Sequence, residues 1–138
     1  MRQSARNSFS LLAASLLLLA AGCGDDPEVT TYAATTFQVT QTGQNPTNIL
    51  AAGGSLTINI FADNSTTGSL FIPASAAGGT TFTANMVGTA NFSGTTVTFT
   101  QASDTFVRDL TFTVVGSTLQ VTNQILSGTT YNITLTKQ

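Results

Sequence analysis

The chain predicts an all-β domain, built as an antiparallel up-and-down barrel of about eight strands. Three observations carry that prediction. Short runs in which apolar residues alternate with threonine or asparagine recur along the chain, and glycine-rich turns separate them. No segment of the mature part places apolar residues at i, i+3, i+4 and i+7 over three turns. Threonine, the commonest side chain between the apolar ones, is β-branched and favours extended backbone. A length of 138 residues is enough for one domain with a real core and not comfortably two.

The first 22 residues stand outside this pattern. Arg2 and Arg6 form a short positive segment, and Phe9 to Ala21 is apolar except for Ser10 and Ser15, with Leu16-Leu17-Leu18-Leu19 at its centre. A charged start followed by an apolar stretch of this length reads as a signal peptide, too short to span a bilayer as a permanent helix. Leu19-Ala20-Ala21-Gly22-Cys23 resembles the lipobox of bacterial lipoproteins, in which small residues precede a cysteine that is lipidated and becomes the new N-terminus. Ala20 stands three residues before the cysteine, where leucine is the commonest choice, and the family tolerates small residues there. The alternative is an ordinary secretory signal with one free thiol left over.

The resemblance implies diacylglycerol and an amide-linked chain on Cys23. Each buried methylene contributes about 0.8 kcal/mol, so several acyl chains hold a protein where one does not. Gly24 follows the cysteine. In the sorting rule of enteric bacteria, aspartate at that place retains a lipoprotein in the inner membrane, so glycine implies the outer membrane. The expected organisation is therefore a signal peptide at 1–22, a lipidated acidic tether at 23–29 carrying Asp25, Asp26 and Pro27, and one β domain at 30–138. The expected setting is the bacterial cell envelope, with the membrane as the partner of the lipid.

Within the β domain the alternation is legible run by run. Leu56, Ile58 and Ile60 alternate with Thr57 and Asn59, and Phe82, Ala84 and Met86 with Thr83 and Asn85. Val97 and Phe99 alternate with threonines, Phe106, Leu110, Phe112 and Val114 share a parity, and Tyr131, Ile133 and Leu135 alternate with Asn132 and Thr134. Turn signals between the runs place strands near 30–41, 54–62, 68–73, 80–92, 95–101, 105–115, 117–124 and 129–137. Tight Ser-Gly and Gly-Ser turns make neighbours in sequence antiparallel neighbours in space. The longest irregular piece, 42–53, reads as a lid, a bulged loop or a short helical turn.

Closure into a barrel removes exposed strand edges, which matters where lysine and proline, the usual edge guards, are nearly missing. The segment from Met86-Val87-Gly88-Thr89 through Ser93-Gly94-Thr95-Thr96-Val97 resembles the small lipocalin-like barrels of bacterial lipoproteins. Those carry a Gly-x-Trp strand leading through a tight hairpin, and Ala90 stands here in the tryptophan's place. A two-sheet Greek-key sandwich uses the same strand count and is the alternative architecture.

Composition narrows function. Histidine is absent and the single cysteine is committed to lipid, which excludes His-based triads, disulfides and nearly every zinc site. A net charge of −2 without a basic cluster excludes electrostatic nucleic-acid binding. Asp63, Asp104 and Asp109 are ordinary turn or surface aspartates, and no dense calcium loop exists, so no catalytic residue, metal site or cofactor is expected.

Two features invite a site. Arg108 shares the parity of Phe106, Leu110 and Phe112. Pointing inward it would need an anion, such as the headgroup of an amphiphile bound in a lipocalin-like barrel. Near the strand start it would instead reach the rim and pair with Asp104. Phe61 and Phe71 flank the 63–68 turn and in a regular hairpin would meet on the outer face. The expected function is a lipid-anchored envelope protein that binds a small apolar or amphiphilic ligand inside its barrel, with Arg108 as the ligand contact. The alternative is a non-catalytic structural or protein-interaction module with a solid core, where Phe82, Phe92, Phe99, Phe106 and Phe112 favour filling and Ala84, Ala90 and Gly88 leave room.

Overall fold

The computed structural model describes residues 28–138; Cys23 and residues 1–22, on which the expected lipidation and signal peptide fall, lie outside them. The strands are β1 (Val29–Gln41), β2 (Thr47–Asn48), β3 (Ser55–Phe61), β4 (Ser65–Ile72), β5 (Phe82–Asn85), β6 (Gly88–Ser93), β7 (Thr96–Gln101), β8 (Phe112–Val115), β9 (Thr118–Leu126) and β10 (Thr129–Lys137), with a 3-10 turn at Phe106–Asp109. Taken in order, β1, β3, β4, β6, β7, β8, β9 and β10 form an antiparallel ring, and β10 returns to pair with β1 from Tyr32↔Lys137 to Gln41↔Thr129. That last pairing closes an eight-stranded up-and-down barrel and decides against the open two-sheet sandwich. Bulges at Thr35 of β1 and at Thr122–Asn123 of β9, opposite Asn132, add the local bend that closure needs.

The pairings also sort the connections to two ends. Glu28, Gln138 and the turns 62–64, 94–95 and 116–117 lie at one end, where the Gln138 amide donates to the Thr31 carbonyl at 2.9 Å. The longer connections 42–54, 73–81 and 102–111 and the 127–128 turn lie at the other. We call these the proximal and distal ends.

Period-two patterning fills the interior. Leu56, Ile58 and Ile60 of β3 point inward with Phe37, Leu70, Val97, Phe99, Phe112, Leu119, Val121, Ile133 and Leu135, all buried. Phe99 and Phe112 meet edge to face, their centroids 5.4 Å apart. Burying one such side chain contributes about 1.5–3 kcal/mol, so this column is the main stabilising element. The centre of the barrel is occupied by protein.

β5 and β6 continue a single register along β4: Ser69↔Asn85 and Ser65↔Thr89 fall in one series, and the Met86 amide donates to the Gly68 carbonyl between them. The run expected at 80–92 is therefore one strand path with a break at Met86–Val87. Its parity holds, since Met86 and Ala90 are buried, but Phe82 and Phe92 near its two ends are 37% and 49% exposed, although their ladder partners Ile72 and Val97 are buried. They do not fill the core. Gly88 leaves no room either, because a Cβ there would stand 1.8 Å from the Thr100 carbonyl oxygen. The missing side chain lets β6 and β7 approach.

Two further expectations are corrected by the register. Phe61 lies opposite Val29 and Phe71 opposite Ser55, at opposite ends of the β3–β4 hairpin, so the two phenylalanines do not meet. The run expected at 105–115 begins as the 3-10 turn, and β8 starts only at Phe112. The turn changes the parity: Val107, Leu110 and Phe112 are buried, while Arg108 is exposed.

Candidate functional site

The distal end of the barrel is where side chains from separate segments converge. Segment 42–54 contributes Ile49, which is buried. β2 pairs with the upper part of β1 at Gln38↔Asn48, and the Ile49 amide donates to the Phe37 carbonyl at 2.8 Å. A helical turn follows, started by the Asn48 side chain accepting from the Ala51 amide at 3.0 Å. Of the three forms open for this stretch, the helical turn is the one present, and it leans into the barrel mouth.

The 73–81 connection starts at Pro73, whose carbonyl accepts from the Ala76 and Ala77 amides at 2.9 and 3.0 Å. Gly78 and Gly79, with φ of +74° and +106°, end that turn as residues without a Cβ can. The result presents Ala76 to the core and leaves Thr80 and Thr81 at the edge.

The third connection is held from below. Buried Thr105 donates to Gln101 Oε1, and Gln101 Nε2 donates to Met86 Sδ at 2.9 Å. No buried side-chain nitrogen or oxygen among the described residues lacks a partner. With Thr105 fixed, the 3-10 turn places the Phe106 ring over the mouth, 6.1 Å from Phe37 and stacked on Tyr131 at 4.7 Å with planes inclined by 19°.

These segments enclose a hollow of about 390 Å³ lined by Val39, Ile49, Ile72, Phe82, Phe106 and Tyr131, with Ala76, Ala77, Thr80 and Thr81 along its edge. No charged side chain lines it. Burial raises the Tyr131 hydroxyl above the usual tyrosine range, because the hollow withholds water from the phenolate. Such a cavity can hold an uncharged apolar group by contact with aromatic faces, and it offers threonine and tyrosine hydroxyls as neutral hydrogen-bonding groups.

Arg108 is not part of the hollow. Its Nη2 lies 2.7 Å from Asp104 Oδ1 and its Nε 3.8 Å from Asp109 Oδ1, with 42% of its side chain exposed. The rim pairing with Asp104 is the arrangement present, and the guanidinium already has its anion. Among the described residues no group of three or more potential metal-ligating side chains exists. Asp63 sits in the proximal β3–β4 turn, where the Ser65 hydroxyl and amide donate to its Oδ1 at 2.6 and 2.9 Å and hold its carboxyl below the usual range.

The hollow was partly readable. Tyr131 on the apolar parity of β10 was the signal for an inward tyrosine near a strand end. The spacing of Phe106, Val107 and Leu110 fits one helical turn better than a strand. Nothing local marks Ile49 or Phe82 as mouth residues, since their places depend on the 42–54 segment folding back and on where β5 leaves the barrel. No protein-family model matches the chain, and no curated protein or solved structure matches it.

Proposed function

We propose that this protein is a non-catalytic binding module of the bacterial cell envelope, held to the outer membrane by lipid on Cys23, whose distal mouth takes up a small, uncharged apolar group. The observation that carries the reading is the charge-free aromatic hollow formed by Phe82, Phe106, Tyr131, Val39, Ile49 and Ile72. The filled interior moves the expected ligand from inside the barrel to its mouth. The Asp104–Arg108 pair removes the reason for an anionic headgroup. Anchoring through Cys23 would turn the mouth away from the membrane, because residue 28 leaves the barrel at the opposite end.

The test uses the neutral fluorophore N-phenyl-1-naphthylamine on the purified lipoprotein. Saturable fluorescence enhancement, competed by uncharged monoacylglycerol better than by the matching fatty acid and lost in Tyr131→Ala, is the expected result. Enhancement unchanged by Tyr131→Ala would remove the hollow as the site.

A second reading, a protein-interaction module with a solid core, is favoured by the filled barrel. In that case the mouth would receive an apolar side chain of a partner protein, and the small-molecule titration would show no saturable uptake.

A further inference from the structure

The proximal end carries a second set of apolar side chains that packing does not explain. Val29 and Phe61 stand opposite each other at the edge of β1 and β3, Phe92 lies opposite Val97 in the last turn-side part of the β6–β7 ladder, and Val115 stands at the β8–β9 turn. Val29, Phe92 and Val115 are 43%, 49% and 49% exposed. Phe61 and Phe92 border one hollow of about 210 Å³ together with Tyr32, Ile60 and Glu28. Apolar residues also project distally, Ile125 most of all, so greasiness alone does not single out an end. What singles it out is the chain. The residues that precede the described part arrive at Glu28, against this hollow, and on the anchoring reading they begin at the lipidated Cys23.

We propose that the proximal rim formed by Val29, Phe61, Phe92 and Val115 rests on the bilayer surface, so that the barrel is docked end-on and is not free to tumble on its tether. The inference rests on the anchoring reading above. Six residue steps lead from Cys23 to Val29, and at about 3.5 Å each they span at most roughly 21 Å. A lipid on Cys23 therefore keeps the rim within one short tether length of the headgroups, which makes even a weak surface contact effectively intramolecular. The apolar tips can then enter the headgroup–acyl boundary, where aromatic side chains are favoured. Charge selects the lipid: Glu28 and Asp63 outnumber Lys137 at this end, and Asp25 and Asp26 precede Glu28 in the sequence, so a zwitterionic surface suits the rim better than an anionic one.

The chain contains no tryptophan, so a single introduced one reports its own surroundings. The full chain is expressed so that it is processed and lipidated in the cell, with Phe92→Trp or, as the distal control, Ile125→Trp. It is then reconstituted on vesicles of phosphatidylcholine and phosphatidylethanolamine brominated on the acyl chains. A parallel Val115→Trp protein guards against a reporter that disturbs folding. The expected result is flotation with the vesicles and bromolipid quenching at positions 92 and 115 several-fold stronger than at 125. Flotation with no quenching at 92 and 115, or with stronger quenching at 125, overturns the docking while leaving the anchor intact. A blue-shifted but unquenched tryptophan at 92 in a protein that behaves as a dimer assigns the rim to a second copy and also overturns it. A full-length protein that does not float overturns the anchor, and the docking with it.

Discussion

Phe106 of the 3-10 turn stacks on Tyr131 of β10, centroids 4.7 Å apart, and joins the one helical piece of the barrel wall to the strand that closes it. The stack is at once a wall of the distal hollow and a brace for the 102–111 connection.

Removing it has a graded cost. Phe106→Ala, at a half-buried position, is expected to destabilise by about 2 kcal/mol, below the roughly 3–5 kcal/mol expected for the fully buried Phe112→Ala. Urea unfolding of both variants measures this. A Phe106→Ala loss equal to that of Phe112→Ala would mean that the turn is part of the core.

Gly88 is expected to be intolerant for a steric reason. Gly88→Ala puts a methyl against the Thr100 carbonyl, and backbone on both sides leaves nothing flexible to move. The β6–β7 pairing has to open, with a loss of at least about 3 kcal/mol, at the severe end for single substitutions. Gly94→Ala meets open space and bears only the left-handed backbone penalty at φ +60°, about 1 kcal/mol. Equal melting temperatures for the two variants would contradict the close strand approach.

The Arg108–Asp104 pair is exposed, and such pairs contribute less than about 1 kcal/mol. Arg108→Ala, Asp104→Ala and the double variant are expected to melt close to the parent protein, and Arg108→Ala to retain binding of the neutral fluorophore. Loss of fluorophore uptake in Arg108→Ala would return Arg108 to the role of ligand contact.

Asp63 sets a pH dependence of known sign. Its folded carboxyl is held below the ordinary value by the Ser65 hydroxyl and amide. The stabilisation is therefore present above the ordinary carboxylate pKa and lost as pH falls through the lower, folded value. Melting temperature followed downward from neutrality is expected to fall less steeply in Asp63→Asn than in the parent. Identical profiles would show that the turn does not depend on the ionised carboxylate.

The strands were legible where burial is one-sided. Leu56-x-Ile58-x-Ile60, Ile133-x-Leu135 and Val97-x-Phe99 read directly as inward faces, because a one-residue slip would expose every one of them. Legibility failed where regular backbone ended. The sequence leaves Arg108 two places, inward by parity or at the rim with Asp104; the inward count runs through a stretch that is a 3-10 turn, and parity counts have no meaning across a change of period. Phe82 and Phe92 keep their parity without being buried, because alternation says which side a residue faces and not how far other segments cover it there.

The sequence by itself determined the all-β class, the meander order and the inward faces of most strands, because side-chain alternation and tight turns are local properties. It also determined that no histidine is available for chemistry. Only the tertiary structure decided that β10 closes on β1, that the interior is filled, and that Arg108 pairs with Asp104 at the rim. It alone brought Ile49, Phe82, Phe106 and Tyr131 around one hollow. Arg108 and Asp104 are only four residues apart, and their pairing depends on the 3-10 turn that stands where a strand was expected. For the other relations the reason is sequence separation: each joins residues from different connections or from opposite ends of the chain. Their meeting depends on how many strands the ring contains and how steeply they are tilted, quantities that no short window of sequence contains.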